Sequence, residues 1–272
     1  MIFLYVTLGI IFILFLLYIF LIFPSGRKKK TAEFFSAQKY FAHRGLHGDG
    51  VPENSLTAFG LACKAGYGIE FDVHITADEK LVVFHDSALS RMCGVGGNVE
   101  EKTLAELKSL TLLGTDEKIP TLEETLALID GRAPLIVEIK GEKITDTRVC
   151  ELSQKVLSSY RGKWCMESFN PFYVRWWKKH GKNVVRGQLA CKMRGGKGFL
   201  DHAKNFILEN LLLCVLSRPD FVAYDVNGRK QPSFRAARAL GAYPVAWTIR
   251  TDEDRKNAEE NFEAVIFEQI RP

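Results

Sequence analysis

Four of the six histidines in this chain, His43, His47, His74 and His85, fall in one short stretch together with Glu70 and Asp72. Side chains two apart on a strand share a face, so an extended Ile69–Ile75 points Glu70, Asp72 and His74 the same way. Glu138 and Lys140 form a second such pair at the end of Leu135–Ile139. Three acidic oxygen ligands, Glu70, Asp72 and Glu138, arriving from two strands suit a hard divalent cation. A lone carboxylate on a strand is more often a solvated end residue, and a lone histidine is more often a hydrogen-bonded structural one. The co-occurrence argues otherwise: acid and base types at several strand ends point to a metal-dependent hydrolase.

The elements that must position these residues read as short β-rich runs alternating with amphipathic helices. The strand candidates are Tyr40–His43, Ile69–Ile75, Leu81–His85, Leu135–Ile139, Lys163–Phe169, Val184–Leu189, Phe221–Tyr224, Pro244–Ile249 and Ala264–Phe267. Thr103-Leu104-Ala105-Glu106 and Thr121-Leu122-Glu123-Glu124 are capping boxes, the second helix stopping at Gly131. Asn170-Pro171 places a cap before proline at the first helical position, with Gly181 as the stop. Strand–helix alternation over a domain of this size predicts a parallel α/β fold, in the form of a (β/α)8 barrel whose mouth lies at the carboxyl ends of the strands. Nine strands are one too many. The link between Ile69–Ile75 and Leu81–His85 is too short for a crossover helix, so that pair is expected to form a hairpin-like excursion. A doubly wound open sheet is the alternative, but no glycine-rich dinucleotide loop follows the first strand.

Phe41-Ala42-His43-Arg44-Gly45, Pro52-Glu53-Asn54-Ser55, Ile69-Glu70-Phe71-Asp72-Val73 and Val83-Phe84-His85-Asp86 resemble, in that order, the glycerophosphodiester phosphodiesterase family. The likeness continues through Ile119-Pro120-Thr121-Leu122-Glu123-Glu124, Val137-Glu138-Ile139-Lys140, Glu167-Ser168-Phe169 and Trp247-Thr248. Each piece is weak alone; the ordered set is highly specific, and the likeness covers nearly everything after residue 23. The resemblance implies an irregular (β/α)8 TIM barrel with magnesium or calcium held by Glu70, Asp72 and Glu138. It implies His43 and His85 as the general acid/base pair, Arg44 and Lys140 as phosphate contacts, and Trp247 packed against the glycerol. Asp86 is placed either to orient His85 or to cap a turn, while His47 and His74 are expected at the rim. Three positions depart from the family pattern: Ser55 for threonine, Arg250 after the Trp247-Thr248 strand, and Ile266-Phe267-Glu268 where threonine-aspartate is usual. They leave the catalytic set intact and put substrate preference in question.

The chain has 272 residues and a net charge of +5, of which Arg27-Lys28-Lys29-Lys30 carries four. The nearly neutral remainder has no field for gripping a nucleic-acid backbone. Residues 1–26 contain no charged side chain, and a helix of about 22 residues spans the roughly 30 Å hydrocarbon core. Residues 1–23 are therefore expected to be a transmembrane anchor, 24–38 a basic juxtamembrane linker and 39–272 the barrel. A cleaved signal peptide fits less well, because no basic residue precedes the apolar run and no small-x-small site follows it. Positive flanks stay inside, so a single-pass cell-membrane protein with a cytoplasmic catalytic domain is expected. The six scattered cysteines, with no CxxC pair, read as reduced thiols. Segment 199–216 is rich in Phe, Leu and Ile behind Lys192, Arg194 and Lys197. It reads as an outer-ring helix, or as an interfacial helix on the bilayer.

The expected substrate is a small glycerophosphodiester, or, as an alternative, a membrane lysolipid cleaved by lysophospholipase D chemistry. A non-catalytic barrel that binds phosphorylated ligands predicts a lost metal ligand or catalytic histidine, and all are present. The full acidic set argues against a phosphoinositide-type phospholipase C.

Overall fold

The computed structural model describes residues 1–193, 195 and 198–272. Its strands are β1 (Tyr40–His43), β2 (Gly68–Ile75), β3 (Leu81–Val83), β4 (Leu135–Ile139), β5 (Trp164–Ser168), β6 (Arg186–Ala190), β7 (Phe221–Asp225), β8 (Tyr243–Ile249) and β9 (Ala264–Phe267). Eight of them pair in parallel in the order β1-β9-β8-β7-β6-β5-β4-β2, and β1 pairs with β2 to close the barrel. β3 runs antiparallel along the end of β2, with Val73 opposite Val83 and Ile75 opposite Leu81. The ninth strand is thus the expected hairpin excursion, outside the closed ring. An open doubly wound sheet is excluded by that closure.

Two apolar layers hold the barrel. Outward-facing Ala42, Phe71, Val137, Met166 and Tyr224 pack against the surrounding helices. Inward-facing Phe41, Ile136, Cys165, Phe221, Val245 and Ile266 fill the interior. Alternation along each strand means that the residue two positions further on faces inward one layer higher. In column after column that residue is polar or aromatic: Phe41 leads to His43, Ile136 to Glu138, Cys165 to Glu167, Val245 to Trp247 and Ile266 to Glu268. An apolar floor under a polar mouth is the consequence, and it is written strand by strand.

The helix starts follow local chemistry. Thr103 and Thr121 both form reciprocal capping boxes. Ser55, in place of threonine, still caps helix Leu56–Ala65 by accepting from the Ala58 amide. Asn170 caps Pro171–His180, which stops at Gly181.

The stretch expected as a linker contains a helix, Lys28–Phe35. Its Phe34 and Phe35 belong to the interior cluster and close the barrel floor. Phe35 stacks on Tyr243 at 4.8 Å and meets Phe221 edge-on at 5.3 Å. Burying such a ring contributes about 1.5–3 kcal/mol, which explains why a polar-looking segment is drawn into the fold.

Upstream, helix Ile2–Ile22 has 21 residues and a mean hydropathy of 2.8, long and apolar enough to cross a membrane. Its last two turns touch the barrel domain: Ile22 is buried and Tyr18 packs against the same cluster. Segment 199–216 divides in two. Helix Phe199–Glu209 has no buried residue, whereas Leu211 and Cys214 are buried on the barrel as an outer-ring segment should be. Arg194 and Lys197 lie outside the described residues.

Candidate active site

The carboxylates of Glu70, Asp72 and Glu138 converge in the mouth, each offering an oxygen within 4.8 Å of the others, all three buried. Their convergence follows from register: Asp72 lies opposite Glu138 across the β2–β4 pair. Burial and repulsion from Asp72, Glu167 and Glu138 push the Glu70 carboxyl well above the usual carboxylate range. Burial also raises Glu138 to about 7, against the opposing pull of Lys140. Asp72 goes the other way, because Lys140, His85 and Arg44 outweigh its desolvation. Asn54 steadies Asp72 by donating from Nδ2 to Oδ2 at 2.9 Å. Lys140 Nζ sits 3.1 Å from Asp72 Oδ1 but off its hydrogen-bonding direction, so that buried oxygen keeps no bonded partner. Oxygen-only donors, mutual repulsion and an orphaned buried carboxylate oxygen are what a hard divalent cation would relieve. The residues fit such an ion.

Two histidines flank the trio, each braced by an acid. His43 Nδ1 is 2.6 Å from Glu268 Oε2. That contact favours the tautomer with the proton on Nδ1 and leaves Nε2 facing Glu70 Oε2 at 3.9 Å. Burial lowers His43 to about 4 even though Glu268 pulls it upward. His85 Nδ1 is 2.7 Å from Asp86 Oδ1, so Asp86 orients the imidazole. Burial lowers His85 as well, against the pull of Asp72. Behind Asp86 runs a chain of charge-assisted bonds. Arg91 Nη2 donates to Asp86 at 3.0 Å and to Glu53 at 2.6 Å, and Glu53 in turn accepts from Arg44 Nη1 at 2.8 Å.

Arg44 turns into the mouth because it adopts a left-handed backbone (φ 55°) directly after β1, followed by Gly45 at φ 79°. A Cβ on Gly45 would lie 2.8 Å from the Ala58 Cβ, so only glycine lets the turn pack on the neighbouring helix. Lys140 Nζ lies 2.9 Å from Glu138 Oε1 and its pKa is raised by Asp72 and Glu138 against desolvation. Trp247 lines the cleft beside Phe169, ring centroids 5.5 Å apart, with its indole N–H donated to the Ala223 carbonyl at 3.1 Å. His43, Arg44, Glu70, His85, Glu138 and Trp247 all line one cleft; Asp72 and Lys140 join it through the contacts above. Among the described residues, the grooves lined by Lys30, Glu33 and Lys163 and by Glu123, Asp130 and Arg161 gather no comparable set of acids and bases.

One expectation needs correcting. His74 is not at the rim: it is 1% exposed, with Nε2 3.2 Å from the His85 carbonyl, beneath that residue's backbone. β2 is buried on both faces along its whole length, so alternation could not tell mouth from wall. His47 does sit near the edge, 3.7 Å from Glu268. Glu268, Glu53, Arg91 and Glu167 carry parts of the site that motif spacing did not assign. For Glu268 the signal was present, since the departure from the family's usual strand ending falls on it. Glu167 faces Glu138 across the β4–β5 pair, and burial together with Glu138 and Asp72 raises it well above the carboxylate range.

Residues 43–185 match the glycerophosphoryl diester phosphodiesterase family. The chain belongs to that family. Over 158 residues it is 35% identical to a glycerophosphodiester phosphodiesterase of Caldanaerobacter subterraneus, covering 54% of this chain and 65% of the relative. Over 151 residues it is 31% identical to a human lysophospholipase D, covering 50% of this chain and 47% of that protein. The chain thus spans about half to two thirds of the length of these curated relatives. In three dimensions it is similar to an Oleispira antarctica phosphodiesterase in complex with the product sn-glycerol-3-phosphate. The TM-score is 0.70 at 25% identity, over 86% of this chain and 94% of that one.

Proposed function

We propose that this chain is a membrane-anchored, divalent-metal-dependent hydrolase of glycerophosphodiesters, releasing glycerol phosphate and an alcohol. The observation that carries this reading is the buried trio Glu70, Asp72 and Glu138 between two histidines that are each held by a carboxylate. Family membership agrees with it, as does the product named for the Oleispira antarctica neighbour.

Glu70, Asp72 and Glu138 would hold magnesium or calcium, which would supply positive charge for the phosphoryl oxygens. Arg44 and Lys140 orient the anionic phosphate and neutralise charge that develops on it. His43, neutral at pH 7 with Nδ1 committed to Glu268, uses Nε2 to take a proton from the attacking water. His85, oriented by Asp86, enters the step protonated and donates that proton to the leaving alkoxide. Trp247 and Phe169 offer an apolar wall for the glycerol carbons.

A second reading, lysophospholipase D activity on membrane lysolipids, is favoured by one specific observation. Phe199 and Leu200, at the start of the helix that follows β6, are 85% and 81% exposed and free to meet an acyl chain. An assay over glycerophosphodiesters and lysolipids, with chelation and metal add-back, decides between the two. Metal-dependent release of glycerol phosphate from water-soluble diesters supports the first reading. Turnover confined to lysolipids transfers the function to the second, and no turnover of either with any divalent metal overturns both.

The membrane reading draws on the same geometry. Ile22, at the end of the apolar helix, is 1% exposed against the barrel domain. Cleavage of a signal peptide there would uncover the surface on which it packs. The Arg27–Lys30 cluster favours a cytoplasmic catalytic domain.

A further inference from the structure

At the opposite end of the barrel from the mouth, the apolar helix Ile2–Ile22 leaves the domain beside a groove of about 670 Å³. One wall is apolar and aromatic, formed by Phe20 and Phe23; the other is cationic, formed by Arg27, Lys178, Arg186 and Arg218. Position in the strands separates this place from the catalytic cleft. Arg186 opens β6 and Asp220 directly precedes β7, whereas His43 and Glu138 stand at or near the ends of their strands.

The charges do not balance. Asp220 is the acid in this cluster, and it is occupied. It accepts from Arg27 Nε at 2.8 Å and from the Arg186 amide at 3.0 Å, and it lies 3.8 Å from Arg186 Nη1. Among the described residues no carboxylate pairs with Lys178 or Arg218. Lys178 Nζ donates only to the Leu216 carbonyl at 3.2 Å. Arg218 uses Nη1 alone, donating to the Phe20 and Phe23 carbonyls at 2.9 and 2.8 Å, with its guanidinium stacked 4.9 Å from the Phe20 ring. Its Nε and Nη2 therefore keep their donors for another acceptor. Lys178 is held below the ordinary lysine range by desolvation and by the neighbouring Arg186, Arg218, Arg175 and Lys179, the signature of uncompensated positive charge.

The setting identifies the acceptor. The groove lies where an apolar helix of membrane-spanning length ends, so it stands at headgroup level if that helix crosses a bilayer. Cationic pockets flanking membrane helices suit phosphate-bearing headgroups, and the Phe20–Phe23 wall suits the first carbons of an acyl chain. We propose that this groove binds the headgroup of an anionic phospholipid, through Lys178 and Arg218, and so sets the barrel domain against the bilayer. The inference rests on the anchor reading above and not on the catalytic one.

The test uses the full chain in detergent, titrated calorimetrically at low salt with dioctanoyl phosphatidylglycerol, dioctanoyl phosphatidylcholine and inorganic phosphate. Flotation with liposomes and turnover of a soluble diester are measured in parallel. The anionic lipid is expected to bind on the order of tenfold more tightly than the zwitterionic one. Lys178→Gln should erode that preference and Lys178→Gln/Arg218→Gln should abolish it, with flotation and turnover unchanged. If the double variant fails to fold, the single variant alone decides. Equal affinity for the two lipids, a preference that survives Lys178→Gln, or inorganic phosphate binding as tightly as phosphatidylglycerol overturns the lipid site. A chain that does not float overturns the anchor reading and the site with it.

Discussion

Replacing Glu138 by glutamine takes one anionic oxygen from a three-carboxylate cluster while keeping its size. Glu138→Gln is expected to abolish activity at ordinary metal concentrations with an unchanged melting profile, because a hard cation loses affinity with each anionic ligand removed. Full activity after chelation and limiting metal add-back would remove Glu138 from the ligand set. His43→Ala and His85→Ala should each lower kcat on the order of 100-fold or more. The double variant should lose less than the product, since both groups act in one step; near-normal turnover in either single variant dismisses that histidine. Glu268 touches the His43 ring, so it is expected to act through that residue. Its hydrogen bond and charge pull the His43 pKa up, against burial that lowers it to about 4. Glu268→Gln removes that upward pull, so His43 should hold its proton only at still lower pH. The acid limb of kcat/KM then moves to lower pH, while kcat falls about tenfold because the imidazole is less firmly oriented. An acid limb that stays in place would assign it to another group.

At the scale of elements, helix Lys28–Phe35 is the segment whose role changed most between sequence and structure. Phe35 touches Phe41, Phe221 and Tyr243, which belong to three different strands. Phe35→Ala should destabilise the domain by about 3–5 kcal/mol, the usual cost of deleting a buried aromatic ring. Chemical denaturation checks it, and a loss under about 1 kcal/mol would mean the floor is closed by other groups. The same packing predicts that a chain begun at residue 39 is markedly less stable than one begun at Ser25. Ser25 and Arg27 both bond Asp220, which ties this segment to the start of β7.

For the whole molecule, the proposed anchor poses a topological choice: the side of the bilayer on which the barrel would lie. Arg27 is bound to Asp220 in the folded protein, but topology is set while the chain is being inserted, when the whole basic cluster is free to resist translocation. A cysteine placed at exposed Ser36 is therefore expected to resist a membrane-impermeant maleimide in intact cells and to react after permeabilisation. Labelling without permeabilisation reverses the orientation. The parent chain supplies the background: Cys63, Cys93 and Cys191 are partly exposed, whereas Cys150, Cys165 and Cys214 are buried. Burial pushes the Cys214 thiol up to about 12, so it and the other two buried thiols should stay unmodified in native protein at pH 8.

What the sequence determined by itself is what near neighbours control. Strand alternation, the Thr103 and Thr121 capping boxes, the Asn170-Pro171 start and the length of the apolar helix depend on residues within a few positions of one another. All of them recur in the structure. The hairpin of β2 and β3 was legible for the same reason, since a short link leaves no other geometry. The candidate site residues were singled out by motif order, and the structure gathers them at one mouth, with side-chain alternation bringing Glu70 and Asp72 to one face. Tertiary structure alone decided the partners. Glu268 stands 225 residues from His43 and reaches it only because β9 pairs with β1 to close the ring. His74 shares the spacing of Glu70 and Asp72 yet is buried beneath His85, because β3 covers that end of β2. Likewise Phe34 and Phe35 look like part of a basic linker until a closed barrel presents an apolar floor for them to fill. Contacts across a closed ring join positions whose separation along the chain carries no period, so no local pattern announces them.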